Sequence, residues 1–404
     1  VRFPSSEAAH AALADRLDAR APSAREDLAD GVALTREVME LGGGAFSNVY
    51  TLEWDVAKAR AEHVAPDPPR SALEVARACP DALAVATGSF FFLADRAGAR
   101  PRRLNLNLRV EGGVLWGAPM RDQEVLLRSR GGALRVETLR ARGVLELGGE
   151  VLEWEGSRTG REAECTLFGS GHCVIRHEHV EGLGRARVLD AASTRTPPME
   201  SGARADVGLE RDGEGGFVVA AVSREGGLDH FAHELAARVP SALARVGVRL
   251  RVRSVDGLEV GEGLWDGVSA GPSVWHEDLE SHPTDRDRSL GSTPLLTGRR
   301  ASRMVFSRHG DRARFTLFDA RPGSLVFVGA TLGEAAAWVR ARGAGSGCLL
   351  DSGNTPKLAL ARGGEVESLG NRHYLRWPTE EDPTYLWTPD RGRPTASLWA
   401  LCGR

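Results

Sequence analysis

Lysine is almost missing from this sequence: of 52 basic residues only Lys58 and Lys357 are lysine, and the rest are arginine. Chemistry through a lysine Schiff base therefore has at most these two candidates. The arginine excess has a bland reading, a GC-rich genome, and a sharper one, a surface that binds phosphate or carboxylate through the planar guanidinium. Cysteine is sparse as well. Cys79, Cys165, Cys173, Cys348 and Cys402 are odd in number, widely spaced and without a Cys-x-x-Cys pair, which argues against a disulfide framework and for a reducing compartment. No run of about 18 apolar residues could span a bilayer. Val1-Arg2-Phe3-Pro4 leads into Ala-rich sequence carrying Asp15, Arg16, Asp18 and Arg20, with no apolar signal core, so a cytoplasmic protein is expected. A net charge of −3 provides no global field for nucleic acid or an anionic membrane, and neither is expected as a partner. A P-loop, a His-Glu-x-x-His pattern and a GxGxxG turn in strand–helix context are all absent, and no cofactor is expected. No internal repeat, low-complexity tract or heptad seam is found.

What is present is the composition of a globular protein, 42% hydrophobic and 26% charged over 404 residues, long enough to bury a large core. Length alone suggests roughly two or three domains. Residues 5–19 place Ala12, Leu13 and Leu17 on one side of a helix. Phe46 to Asp55 alternates as a strand, and Ser71 opens a short helix to about Cys79. Leu83 to Phe92 reads as a buried strand running into a tight turn at Thr87-Gly88-Ser89. Between 104 and 225, short strands separated by Gly112-Gly113, Gly131-Gly132 and Gly148-Gly149 suggest an antiparallel meander. Residues 228–246, rich in Ala and Leu, read as a helical insert, and Glu277 to Gly298 as a polar loop. Arg303 to Phe306 and Ala313 to Asp319 form two strands around His309-Gly310-Asp311. Thr331-Leu332-Gly333-Glu334 is a capping box that opens a helix, and Gly343 stops it. Cys348-Leu349-Leu350 is a short buried strand ending at Asp351.

Four constellations bear chemistry. Asp351-Ser352-Gly353-Asn354-Thr355 puts a carboxylate at a strand end before a loop with free amides, although an Asx-type turn has the same spacing. Arg299, Arg300 and Arg303 lead into a strand and suit a phosphate diester or a solvated edge equally. Thr87-Gly88-Ser89 permits close backbone approach beside hydroxyls, as a bulge also would. Cys173, His177 and His179 would share one face of a strand, a weak metal set that matches no zinc spacing.

In this order the segments resemble the phosphodiester glycosidase family, typified by the lysosomal uncovering enzyme that removes N-acetylglucosamine from a phosphodiester-linked mannose, with bacterial exopolysaccharide-related relatives. The likeness spans roughly residues 32 to 404. Ala86-Thr87-Gly88-Ser89-Phe90-Phe91 sits where the family has Ile-Asn-Gly-Gly-Phe-Phe, and Ser269 to Val274 resembles its Gly-Gly-Pro segment. Arg303 to Ser307 stands at its Arg-Thr-Ala-Ile-Gly strand, Asp319 at its Asp-Gly turn, and Gly329 to Ala336 at its Gly-x-Thr-Leu-x-Glu-Leu-Ala helix start. Leu350 to Thr355 takes the place of Leu-Asp-Gly-Gly-Gly-Ser, and Arg393-Pro394-Thr395 resembles a closing Arg-Pro-Val strand. Thr87, Ser307, Ser352 and Asn354 are the departures.

The resemblance implies an α+β fold: a mixed, largely antiparallel β-sheet core with a few packed helices. It implies an N-terminal helical extension over 1–31 and one domain over 32–404 carrying the insert near 228–246. It also implies a hydrolase that cleaves a phosphodiester-linked glycoside or a related anionic or sugar-containing small molecule. Asp351 and Arg303 are then the catalytic pair, with Thr87, Gly88, Ser89, Gly353, Asn354, Thr355 and Arg393 holding substrate. The alternatives are a non-hydrolytic enzyme of specialised metabolism on the same scaffold and an inactive ligand-binding protein.

Overall fold

Paired glycines and period-two alternation dominate the chain, and they produce strands almost everywhere. The computed structural model describes residues 2–5, 8, 20–66, 68–89, 91–92, 104–105, 108–132, 134–169, 172, 175–180, 184–189, 191–199, 202–230, 232–270, 273–275, 299–321, 324–353, 355–370, 373–376, 385–389, 392 and 394–403. They form two units: Val1–Ser89 with Pro272–His282 and Pro294–Arg404, and Phe90–Gly271 with Pro283–Thr293. Strand makes up 53% and helix 7%, so the expected α+β class is corrected to nearly all-β. Among the described residues the α-helices are Ala72–Ala78 and Leu332–Ala341. Both begin with capping boxes, at Ser71 with Glu74 and at Thr331 with Glu334, and these satisfy the first-turn amides that a short helix leaves open.

The first unit contains two principal sheets. In the six-stranded sheet the order is Ala24–Ala29, Val32–Glu40, Phe46–Asp55, Arg312–Asp319, Arg303–His309, Ser346–Ser352. The five-stranded sheet runs Glu365–Leu369, Leu358–Arg362, Ala82–Thr87, Leu398–Gly403, Ala59–Val64. One face of the six-stranded sheet is apolar: Leu52, Phe315, Phe306 and Cys348 stand in register across it. The five-stranded sheet meets that face, with Gly370 against Leu317 and ion pairs Arg36–Glu367 and Arg362–Glu26 at 3.2 and 2.7 Å. The helix Leu332–Ala341 lies on the opposite face, where Trp338 meets Phe318 edge-on at 6.4 Å.

At the end of the expected helical extension over 1–31, Ala24–Ala29 is a strand that pairs with Val32–Glu40 through the Asp30-Gly31 turn. Residues 9–19 lie outside the described residues.

The second unit is built around a closed barrel. Around it run Arg142–Leu147, Glu150–Gly156, Cys165–Phe168, Leu235–Pro240, Arg204–Arg211, Phe217–Ser223 and Arg249–Val255, and the last pairs back with the first. The pairing of Glu150–Gly156 with Cys165–Phe168 is parallel, a departure from the expected meander. Leu145, Trp154, Leu167, Val207, Val219 and Leu250 fill one contiguous core. Closure leaves these strands without open edges, so each can alternate apolar inside and polar outside. The expected helical insert near 228–246 instead supplies the barrel strand Leu235–Pro240. Its Ala and Leu content favours a helix locally, but burying Leu235, Ala237 and Val239 follows period two, and tertiary burial outweighs a propensity worth tenths of a kcal/mol per residue.

Gly143 lies so close to the Ser254 carbonyl that a β-carbon there would overlap it, with Trp154 Nε1 2.9 Å away. Gly143→Ala is expected to destabilise the protein by about 2–3 kcal/mol through backbone displacement at the closing strand pair. Urea denaturation would measure this, and an unchanged midpoint would show that the closure tolerates a side chain there.

Candidate functional site

Several strands of the first unit end together, and they end in polar residues. Arg303 opens its strand, Asp319 closes the next, and Asp351 and Ser352 close the third. All are buried, Arg303 at 0% exposure and Asp351 at 2%. From Ser352 the chain turns through Gly353 to Lys357, also 2% exposed, and enters the five-stranded sheet beside Ala82–Thr87. There the Lys357 amide donates to Thr87 Oγ1 at 3.2 Å, and the Thr87 amide donates to the Lys357 carbonyl at 3.1 Å. The Gly88 amide donates to the Ser397 carbonyl at 2.9 Å, and Ser397 Oγ lies 2.9 Å from His63 Nε2. A β-carbon at Gly88 would sit 2.8 Å from the Ser397 carbonyl carbon, so this approach requires glycine.

The two expected catalytic residues stand on neighbouring strands but on opposite faces. A bulge between Met304 and Val305 pairs Met304 with Asp351 and Arg303 with Ser352. Directly paired residues share a face of a sheet and successive residues alternate. Without the bulge Arg303 would pair with Asp351; with it, Asp351 joins Met304 and Leu317 on the face toward the five-stranded sheet, and Arg303 joins Ser352 on the helix side. There Arg303 Nε donates to the Ala330 carbonyl at 3.1 Å, Nη2 to the Arg299 carbonyl at 2.6 Å, and Nη1 to Ser352 Oγ. Arg303 is thus a buried brace.

Asp319 was not singled out for a catalytic role, yet it shares the face of Leu317 and Asp351. The two carboxylates use the same local device: Asp351 Oδ1 accepts from the Ser352 amide at 2.7 Å, and Asp319 Oδ1 from the Ala320 amide at 2.9 Å. That fixes one oxygen of each.

Other expected contacts are redirected. The Gly353 amide donates to the Ser302 carbonyl at 2.9 Å, so the Gly353 and Gly88 amides brace their loops and do not face a ligand. Thr87, Ser89 and Thr355 are buried, and Ser89 Oγ, 1% exposed, has no hydrogen-bond partner among the described residues. A buried hydroxyl of that kind needs an explanation, and a ligand oxygen is one. Asn354, Arg393 and Cys173 lie outside the described residues, as do the side chains of His177 and His179. Among the described residues no group of three His, Cys, Asp or Glu could hold a metal. Sequence reasoning did not assign Lys357, His63 or Ser397 to the site. The scarcity of lysine singles out Lys58 and Lys357 but does not separate them: Lys58 is exposed and pairs with Asp30 at 2.7 Å, whereas Lys357 is buried.

In the second unit His172 packs between Phe168 and His230, with ring centroids 5.2 and 5.6 Å away, and its Nδ1 lies 2.8 Å from Ser157 Oγ. Burial, and then the neighbouring His230, push His172 down to about 4.

No family model and no curated protein matches the sequence. Solved structures do resemble it. One is a hypothetical protein from Synechocystis, 16% identical with a TM-score of 0.57, covering 96% of this chain and 65% of that one. This chain therefore spans less than two thirds of that protein's length. Another is a Burkholderia pseudomallei protein proposed to be exported, 19% identical with a TM-score of 0.52, covering 88% of this chain and 74% of that one. These likenesses define the fold alone. The catalytic domain of zebrafish N-acetylglucosamine-1-phosphodiester α-N-acetylglucosaminidase, auto-inhibited by its pro-peptide, is a distant neighbour at 9% identity and a TM-score of 0.41, covering 96% of this chain and 86% of that one. A likeness that slight carries no functional argument. Among the described residues no helix is long and apolar enough to cross a membrane.

Two outcomes are expected. Arg303→Lys keeps the charge but cannot reach three acceptors with one ammonium, and should cost about 2 kcal/mol or more in urea denaturation; an unchanged midpoint would remove the bracing role. His172 is neutral in the folded protein, whereas the unfolded chain takes up that proton near its ordinary value of 6.5. Stability is therefore full above pH 6.5 and falls as pH drops toward about 4, because the unfolded state binds more protons there. Melting curves of wild type and His172→Asn across that window should differ in slope, and parallel curves would exclude His172 as the cause.

Proposed function

We propose that the first unit is the catalytic unit of a hydrolase that cleaves a phosphodiester-linked glycoside or a closely related anionic, sugar-containing small molecule. One observation carries this reading. Asp319 and Asp351, on the strands that flank Arg303–His309, are buried together on the face of the six-stranded sheet that meets the five-stranded sheet. Ionisable groups buried at converging strand ends are costly to keep there for packing alone.

The chemistry asks little of a general acid, because a phosphate leaves as a stable anion. It does need a carboxylate that stabilises an oxocarbenium-like carbon or activates water, and a cation near the departing phosphate. Asp351 takes the carboxylate role, with Asp319 the second carboxylate on the same face. Arg393, the second expected anion anchor, takes the cationic role in place of Arg303, whose guanidinium is engaged with Ala330, Arg299 and Ser352 on the far face. The depth of Asp351 supports a second reading, a protein that binds such a molecule without turning it over.

Release of free sugar from a synthetic N-acetylglucosamine-1-phosphodiester decides between them. Wild type is expected to release sugar, and Asp351→Asn to lower the rate about a thousandfold with an unchanged melting temperature. A full rate in Asp351→Asn would remove that residue from the mechanism. Thermal stabilisation by the phosphodiester without product would replace the hydrolase with the binding protein.

A further inference from the structure

The cysteines among the described residues fall into two classes. Cys165 and Cys348 are each 0% exposed. Cys79 and Cys402 are half-buried free thiols, far apart in sequence but brought to one corner of the first unit. Cys402 lies on Leu398–Gly403, a strand flanked on both sides in the five-stranded sheet, and its register partner on the neighbouring strand is Ala82. Cys79 is the C-cap of the helix Ala72–Ala78. From it the chain reverses directly into that neighbouring strand, and the Ala82 amide donates to the Cys79 carbonyl at 3.0 Å. A turn closed in this way holds its ends within about 7 Å, and register partners on paired strands lie about 5 Å apart.

The two side chains also face the same ground. The helix buries Ala72, Val75 and Ala76 on the sheet, and Cys79 is the next position on that stripe. On the strand, Leu398 and Ala400 belong to the same buried cluster, and Cys402 continues their face by period two. Both thiols pack against this one cluster, and both flank Ala82. Burial, and then Glu62, push the Cys402 thiol above its ordinary value; Arg60 opposes them and Cys79 adds to the rise. An odd cysteine count argues against a disulfide framework, but not against a single bridge.

We propose that Cys79 and Cys402 are a modification site, a reversible intramolecular disulfide that ties the helix Ala72–Ala78 to the strand Leu398–Gly403. A disulfide needs Cα atoms about 4.4–6.8 Å apart, a span that the tight reversal at Pro80-Asp81 brings within reach of the helix end. The oxidant is a low-molecular-weight disulfide. One protein thiolate attacks it and expels one small thiolate, leaving a mixed disulfide; the second protein thiolate attacks the protein sulfur of that bond and expels the other. The two cysteine protons end on two small thiols, so the protein pair loses two electrons and the reagent gains them. The shared scaffold favours ring closure over capture of a second reagent molecule. The bridge encloses most of the chain and stabilises by restricting the unfolded state. It lies on the helix-covered face of the five-stranded sheet, away from the face that meets Asp319 and Asp351, and stands apart from the hydrolase reading.

Peptide mapping of the full chain tests it, after the native protein has been equilibrated with oxidised glutathione or with a reductant. The expected product is a monomer that has lost two hydrogens and yields one peptide pair joining Cys79 to Cys402. Its melting temperature should lie several degrees above that of the reduced protein, and reductant should reverse both changes. Cys79→Ser and Cys402→Ser should each melt at the same temperature with and without the oxidant. Each variant is compared with its own reduced form, so any cost of the substitution itself does not enter. The proposal is overturned if glutathione stays on either cysteine without a bridge, if the bridge joins two chains, or if either cysteine pairs with a different one. It is overturned equally if the bridged protein melts no higher than the reduced one, or if the shift persists in either variant.

Discussion

The buried guanidinium of Arg303 is the constraint on which the first unit's polar end depends. A charge at 0% exposure is tolerable only when hydrogen bonds replace the water it has lost. Arg303 finds them on three separate segments: the approach to its own strand at Arg299, the residue before the helix cap at Ala330, and the end of the adjacent strand at Ser352. One side chain therefore fixes the start of the helix relative to the end of the strand that carries Asp351. The capping box at Thr331 then holds the helix from the other side of the same junction.

That brace divides the sheet into two chemical environments. Toward the five-stranded sheet, apolar residues give way at the strand ends to Asp319 and Asp351, each with one oxygen tied to the next backbone amide. Toward the helix, Thr35, Thr51, Thr316 and Ser307, with the pairs Arg314–Glu53 and Arg342–Glu37, replace the apolar stripe that usually lies beneath a helix. A polar strip of that kind is stable because its ion pairs are partly screened.

The second unit solves a different problem. Short strands with large sequence separations are marginal as an open sheet, and closing the ladder between Arg142–Leu147 and Arg249–Val255 removes the exposed edges and surrounds Trp154 and its neighbours with side chains. Its strand Leu235–Pro240 shows why composition misled: alanine and leucine serve a helix or the inside of a narrow barrel equally well, and small alanines suit a tapering interior.

The sequence by itself determined the local pieces whose signals lie within a few residues: the strand Phe46–Asp55, the hairpin around His309-Gly310-Asp311, both capping boxes, and the buried strand before Asp351. Alternation and caps are short-range physics, and they are written in short windows. It also singled out Thr87 and Ser89 as substrate-holding and Asp351 as catalytic, positions that turn out to be buried, but not Lys357, His63 or Asp319. The tertiary structure alone decided the barrel closure, the juxtaposition of Cys79 and Cys402, and which side of the sheet each charged group occupies. The last turned on one extra residue: the bulge opposite Met304 sends Asp351 to one face and leaves Arg303 on the other. Period two tells which residues share a face along a strand, but the register between strands is set by packing across the whole sheet, and no local window contains it.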